Sequence, residues 1–302
     1  MSAARIAIVI VTWNSARVLP GLLNTIDAGL GDLTGQTIVV DNDSADDSVA
    51  VAERSAPGCR IVQTGRNAGY AAALNAGLAA ADPFDAALIL NPDIRLDPGS
   101  IATMYAGLAD AGVGIVVPRL FHGDGSPAWS LRREPTLLRA LGEAVAGRRA
   151  GRHPRFGETV LDETAYQRRT TVDWATGAAM LISAACLAAS GPWDESFFLY
   201  SEETEFALRA RDHGYLTRLA PDARAVHLEG ESKVSPRLWT ILTVNRVRLY
   251  RRRHARFPTA LYWSAVFMRE ATRAALGHPR SRRAMAGLLR MVREPDAAPS
   301  AG

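Results

Sequence analysis

Five short runs rich in apolar and β-branched residues, Ile6–Val11, Ile38–Val40, Arg60–Gln63, Ala86–Leu90 and Val113–Val117, recur along the first part of the chain. The stretches between them, Val18–Ala28, Asp46–Arg54, Ala71–Ala80 and Ser100–Ala109, carry apolar residues at helical spacing. Parallel neighbours in a sheet need a long crossover, usually a helix, and each helix must bury its apolar stripe on the sheet. The order therefore predicts an α/β fold: a Rossmann-like, mostly parallel sheet flanked by helices.

In an open sheet of this kind, ligands bind beyond the carboxyl ends of the strands. Thr12-Trp13-Asn14 follows the first run, Asp41-Asn42-Asp43-Ser44 the second, Arg66-Asn67-Ala68-Gly69-Tyr70 the third and Asn91-Pro92-Asp93 the fourth, so four polar loops share one edge. Asp93 is the first carboxylate past a strand that is apolar throughout, where a metal-bound phosphate would sit, although Asn-Pro-Asp is also an ordinary turn sequence. Asp41 can accept hydrogen bonds from a uracil or thymine ring or from ribose hydroxyls. Asn67-Ala68-Gly69 opens a helix whose amino end favours a phosphate. Asp43-Ser44 reads equally well as the cap of the following helix. No Gly-x-Gly-x-x-Gly follows the first strand, which argues against a dinucleotide-dependent oxidoreductase.

The 302 residues are 48% hydrophobic and 22% charged, an ordinary globular composition. Cys59 and Cys186 stand far apart without ligand spacing and read as reduced structural residues of a cytoplasmic protein. The apolar start Ile6–Val11 is too short for a signal segment, so no export is expected. The net charge of +4 is unevenly divided: residues 1–232 carry −8 and residues 233–302 carry +12. Within the basic part, Leu238–Tyr250 and Leu261–Met268 interleave apolar residues with or lie beside Arg246, Arg248, Arg251, Arg252, Arg253 and Arg256. Helices of that kind suit an anionic membrane surface, and the arginines break every run long enough to span one. Peripheral contact at the inner face of the cell membrane is the favoured reading over a solvated helix face or a nucleic-acid patch, and no nucleic-acid partner is expected. The expected organisation is residues 1–118 as a nucleotide-binding half, 119–232 as an acceptor and catalytic half, and 233–302 as a basic amphipathic helical region.

From Phe121 to Gln167 the pattern is irregular, with a hairpin turn expected at Asp124-Gly125 and a mobile lid or acceptor loop at Arg148–Arg155. Beyond Glu294 the chain reads as disordered.

Seven segments in this order resemble the inverting family 2 glycosyltransferases of GT-A (nucleotide-diphospho-sugar transferase) fold, in particular their bacterial rhamnosyltransferase-like branch. They are Val11-Thr12-Trp13-Asn14, Val39–Ser44, Asn67–Gly77, Leu90-Asn91-Pro92-Asp93, Asp173–Ala178, Phe197–Glu205 and His227–Ser232, and the resemblance spans roughly residues 5–255. It implies transfer of a sugar, foremost L-rhamnose from dTDP-rhamnose, to a lipid-linked or cell-surface glycan acceptor such as a polyprenyl-diphosphate-linked one. It also implies a divalent cation, Mg²⁺ or Mn²⁺, on Asp93 and His227. The donor contacts it implies are Thr12, Asn14, Asp41, Asp43, Asn67, Gly69, Asn75, Asn91, Trp174, Thr176 and Gly177, with Trp174 stacking on a sugar and Ser130–Arg133 meeting the acceptor pyrophosphate.

The sequence departs from the family at the catalytic helix. Where the family usually has Glu-Asp with the Asp as base, this chain has Glu202-Glu203, so the base falls on Glu203, with Glu202 second. Acidic residues at a helix start also stabilise the helix by themselves. A UDP-sugar donor, and a catalytically idle nucleotide-sugar-binding scaffold, are the alternatives. Asn91-Pro92-Asp93 speaks mildly against a polyprenyl-phosphate sugar synthase.

Overall fold

The computed structural model describes residues 3–228 and 235–294. The chain runs β1 (Arg5–Thr12), α1 (Leu19–Leu30), β2 (Thr34–Asp41), α2 (Ser48–Ser55), β3 (Arg60–Gln63), α3 (Tyr70–Ala79), β4 (Ala86–Leu90), β5 (Ile94–Leu96), α4 (Ser100–Gly107) and β6 (Val113–His122). It continues through β7 (Leu131–Arg132), α5 (Leu137–Ala146), β8 (Thr171–Val172), β9 (Trp174–Ala175), β10 (Ala179–Ser183), α6 (Ala184–Ser190), α7 (Glu202–Asp212) and β11 (Leu216–His227). Three helices close it: α8 (Pro236–Arg253), α9 (Arg256–Ala275) and α10 (Pro279–Arg293).

The main sheet has the order β3-β2-β1-β4-β10-β6-β11-β5, with β8 on β11. Strands β1 to β4 are parallel as expected, whereas β10 runs antiparallel between β4 and β6, and β5 antiparallel beside β11. The sheet is therefore mixed on one side and parallel on the other. Side-chain alternation along β1 sends Ile6, Ile8 and Ile10 into one core and Ala7, Val9 and Val11 into another. Helices α1 and α4 cover the first core; α3 and α7 cover the second. Burial on both faces explains why these strands are continuously apolar.

Asp124-Gly125 forms the expected turn, with Gly125 at φ 80° and its N–H donating to His122 O at 2.9 Å. The expected lid at Arg148–Arg155 is instead fastened down. The Arg133 guanidinium donates to Gly151 O at 3.4 Å and Arg139 Nε to Pro154 O at 3.1 Å, holding the segment by its main chain. The disorder expected beyond Glu294 falls outside the described residues, as do the Glu229–Ser232 portion of the seventh matched segment and the boundary between residues 232 and 233.

Four of the six C-terminal arginines expected at a membrane surface are bonded within the protein instead, whereas Arg256 is exposed. Arg246 is buried among Glu143, Glu158 and the Tyr262 hydroxyl, at 2.9, 2.6 and 2.8 Å. Arg252 pairs with Asp194, and Arg253 binds Asp212 at 2.8 Å. Arg248 is buried under the loop before α7. These four arginines hold α8 to the acidic part of the chain. A guanidinium that loses water must regain its hydrogen bonds from carboxylates or carbonyls, and the acidic half supplies them. The third core, of α5, α8, α9 and α10, is continuous with this network through Val247, Tyr250 and Tyr262.

Candidate active site

Parallel β1 and β2 end in register, Thr12 opposite Asp41. Both are buried, and Thr12 Oγ1 donates to Asp41 Oδ1 at 3.2 Å while the N–H of Ser44 donates to Oδ2 at 3.1 Å. Each carboxylate oxygen retains a lone pair, so Asp41 can accept further hydrogen bonds from a ligand. Asn14 takes a left-handed φ of 53° and ties the two loops together: its N–H donates to Ser44 Oγ at 2.9 Å, and its Oδ1 accepts from the N–H of Ala45 at 2.8 Å. Asp43 is exposed at φ 68°. It does not cap α2; Asp46 does that work at the helix start, accepting from the N–H of Ser48 at 3.0 Å.

Asn42 links this corner to the next loop. Its Nδ2 donates to Asn67 Oδ1 at 3.0 Å and to Gly69 O at 3.3 Å, and its Oδ1 accepts from the N–H of Ala68 at 3.0 Å. Gly69 has φ 92°, and a Cβ there would stand 2.5 Å from Phe198 O. Both the backbone angle and the space require glycine. The close approach lets the Tyr70 N–H donate to Phe198 O at 2.8 Å, docking the start of α3 on the loop that precedes α7.

At the edge of the sheet, His227 Nε2 lies 3.3 Å from Asp93 Oδ2, both side chains largely buried. The pair arises because β11 brings His227 opposite Ile94 in the antiparallel ladder with β5. Two ligands of an octahedral Mg²⁺ or Mn²⁺ with bonds of about 2.1 Å stand roughly 3 Å apart when adjacent, which this pair fits to within a few tenths of an ångström. Among the described residues no third His, Cys, Asp or Glu joins them, so phosphate and water oxygens would complete the coordination.

Tyr70 lies close enough to Asp93 to feel its charge. Its hydroxyl donates to Asn91 Oδ1 at 3.1 Å, and burial, then the carboxylates of Glu202, Glu203 and Asp93, push the phenol's pKa upward. Tyr70 therefore sits within electrostatic reach of the metal-type pair and of both glutamates at the start of α7. The glutamates differ. Glu202 is 3% exposed and accepts from the main-chain N–H groups of Tyr200 and Glu202, with Oε2 lacking a hydrogen-bond partner among the described residues. Burial, then the neighbouring Glu203 charge, raises its carboxyl well above the ordinary range. Burial thus favours the protonated form of Glu202 over the charged one. Glu203 is half-buried on the adjoining face, and a Cβ on Gly177 would lie 3.3 Å from Glu203 Cβ. Gly177 thus leaves the space that Glu203 occupies. Thr176 stands beside it, its N–H donating to Ser130 O at 3.0 Å.

Two of the expected donor contacts are engaged elsewhere. Asn75 clamps α3 to the loop before α7, with Nδ2 donating to Trp193 O and Glu195 Oε1 at 2.9 and 2.8 Å and Oδ1 accepting from the N–H of Trp193 at 2.9 Å. Trp174 belongs to the second core and donates from Nε1 to Arg133 O at 3.0 Å, so its face is packed rather than offered to a sugar. Arg132 and Arg133, expected to meet a pyrophosphate, bond main-chain carbonyls: Arg132 that of Trp129, Arg133 those of Gly157 and Thr159. Asn42 and Tyr70 lie within the polar strand-end loops singled out in the sequence, although the sequence reading assigned neither of them a role.

A family model described as Glycosyl transferase family 2 matches residues 7–176. An N-acetylglucosaminyl-diphospho-decaprenol L-rhamnosyltransferase of Mycobacterium tuberculosis is 29% identical over 206 residues, 65% of this chain and 67% of that protein. The low-salt glycan biosynthesis hexosyltransferase Agl10 of Haloferax volcanii is 28% identical over 212 residues, 68% of this chain and 61% of that protein. Among solved structures, the mannosyltransferase PcManGT from Pyrobaculum calidifontis, in complex with GDP-Man and Mn²⁺, aligns over 98% of this chain and 83% of its own with a TM-score of 0.59 at 16% identity. TarS of S. aureus aligns over 97% of this chain and 82% of its own with a TM-score of 0.55 at 14% identity. The fold they share with this chain is GT-A.

Proposed function

The chain belongs to glycosyltransferase family 2, and from that premise we propose that it transfers L-rhamnose from dTDP-rhamnose, with inversion, to a polyprenyl-diphosphate-linked glycan precursor. The observation that carries the reading is the convergence around Tyr70 of a metal-type pair, Asp93 and His227, and a half-buried carboxylate, Glu203. The donor and acceptor follow the mycobacterial relative, whose name contains both the rhamnosyl group and the decaprenol-linked acceptor.

Asp93 and His227 would hold a divalent cation, Mg²⁺ or Mn²⁺, which would supply neutralisation of the negative charge on the diphosphate leaving group. Asp41 accepts from the pyrimidine ring, and the loop at Asn67–Gly69 presents main-chain N–H groups to the phosphates. Glu203 takes the proton of the acceptor hydroxyl as that oxygen attacks the anomeric carbon from the face opposite the leaving group. Beside it, burial and the Glu203 charge favour the neutral form of Glu202, which limits the build-up of a second negative charge. Residues 1–118 thus serve the nucleotide and 119–232 the acceptor and the proton transfer.

A UDP-sugar donor is the second reading, because the ring edge that Asp41 would bind is common to uracil and thymine. The test is transfer from dTDP-rhamnose and from UDP-sugars to a polyprenyl-diphosphate GlcNAc acceptor. Rhamnosylated lipid supports the proposal; glycosylation from UDP donors alone replaces the donor, and binding of nucleotide with no transfer leaves the idle-scaffold reading.

No helix among the described residues is long and apolar enough to cross a membrane. We place peripheral contact with an anionic membrane on the outer face of α10, where Leu289 and Val292 are 46% and 60% exposed beside exposed Arg282, Arg283, Arg290 and Arg293. Arg246, Arg248, Arg252 and Arg253 of α8 are bonded to carboxylates or carbonyls of the protein, so the proposal does not assign them to that contact.

A further inference from the structure

Tyr200 and Ser201 enter α7 with φ of 66° and 75°, two successive non-glycine residues in the left-handed region. Ser201 supplies no side-chain cap for the helix. This backbone is held from outside by α8. Asn245 is completely buried, and its Nδ2 donates to Leu199 O at 2.9 Å and to Tyr200 O at 3.2 Å. Arg248, one turn further on, donates to Ser196 O and to Asn245 Oδ1, each at 3.4 Å. A guanidinium can only donate, so the amide oxygen must face Arg248 and the amide NH₂ must face the loop.

We propose that Asn245 is a positioning residue for glycosyl transfer: it holds Leu199–Ser201 in the left-handed turn that delivers Glu203 to the acceptor, with Arg248 orienting its carboxamide. The proposal rests on Glu203 being the base. Left-handed backbone in residues with a Cβ persists only where the surroundings over-determine it, and two donor bonds to successive carbonyls from a buried amide do so. The family match ends at residue 176, well before α8. The C-terminal helices therefore complete the catalytic half by setting the entry into α7.

The test is Asn245→Asp in the full-length protein, which keeps the shape and replaces the donor by an oxygen facing two carbonyls. Transfer kcat should fall at least tenfold while the Kd for dTDP with Mn²⁺ stays within twofold, because the bonds altered are those of Asn245 to Leu199 O and Tyr200 O and not bonds made by Asp41, Asp93 or His227. Adding Ser201→Gly, which adopts a positive φ without the Cβ penalty, should recover at least threefold of the lost kcat. Asn245→Ala repeats the test without the repulsive oxygen. Unchanged kcat in both variants, kcat and nucleotide affinity lost together, or failure of both variants to fold would each overturn the proposal. Glu203→Gln, measured in parallel, separates the two claims. If it retains turnover, the base assignment fails; if it is inactive while Asn245→Asp is normal, only the positioning role fails.

Discussion

His227 Nε2 lies 3.3 Å from Asp93 Oδ2 although the two residues come from strand ends far apart in sequence. On the proposed reading, an imidazole and a carboxylate this close serve as adjacent ligands of one divalent ion. His227→Ala should weaken Mn²⁺-dependent nucleotide binding about tenfold and leave metal-free binding alone. Calorimetry of dTDP with and without Mn²⁺ checks this, and equal losses under both conditions would make His227 a packing residue.

Gly177 gives a sharper probe of Glu203 than truncating the glutamate. A Cβ at 177 stands 3.3 Å from Glu203 Cβ, so Gly177→Ala should displace the carboxylate by a few tenths of an ångström. We expect kcat to drop about three- to tenfold with the nucleotide Kd unchanged. A normal kcat would show that the glutamate's position is not critical.

Glu202 sets a pH dependence of stability. Its carboxyl is raised, first by burial and then by Glu203, above the ordinary glutamate value of 4.5, so the folded chain keeps a proton that the unfolded chain releases. That contribution is complete below the unfolded value and is lost as pH rises through the folded one. Glu202→Gln, permanently neutral, should therefore gain thermal stability relative to the parent as pH is raised from 5 to about 9. Melting temperatures across that range decide it; a difference that is flat or shrinks with pH contradicts the assignment.

The proposed membrane face is separable from the fold. Leu289 and Val292 are exposed, so replacing both with Ser should change stability by less than about 1 kcal/mol while reducing sedimentation with anionic vesicles severalfold. Truncation at Ser232 would be a poor substitute because it also removes Asn245 and the Arg246 network. If the double variant sediments like the parent, α10 is not the contact.

Strand-end chemistry was legible in the sequence because it depends on local signals. An apolar strand followed by a polar loop placed Asp41, Asn91 and Asp93 on one edge, and the register of β1 with β2 and β4 agrees. Long-range pairing left no such trace. Nothing in Ala179–Ser183 announces that it will run antiparallel between β4 and β6. Asn245 was equally silent, a lone amide in an arginine-rich helix whose partners are carbonyls more than forty residues away. The arginines of α8 read as lipid-facing because a run of charge shows its own sign and not its partners. The clue lay in the imbalance, −8 before residue 233 and +12 after it, which Arg246, Arg252 and Arg253 convert into contacts with Glu143, Glu158, Asp194 and Asp212.

The central claim is a metal-assisted nucleotide site built on Asp93. Calorimetric titration of dTDP, UDP and GDP into the parent protein and into Asp93→Asn, each with and without Mn²⁺, tests it most directly. The account predicts Mn²⁺-dependent binding with dTDP tightest in the parent, and loss of the metal dependence in the variant. Diphosphate binding that is indifferent to Mn²⁺ in the parent, or unchanged metal dependence in Asp93→Asn, would contradict it.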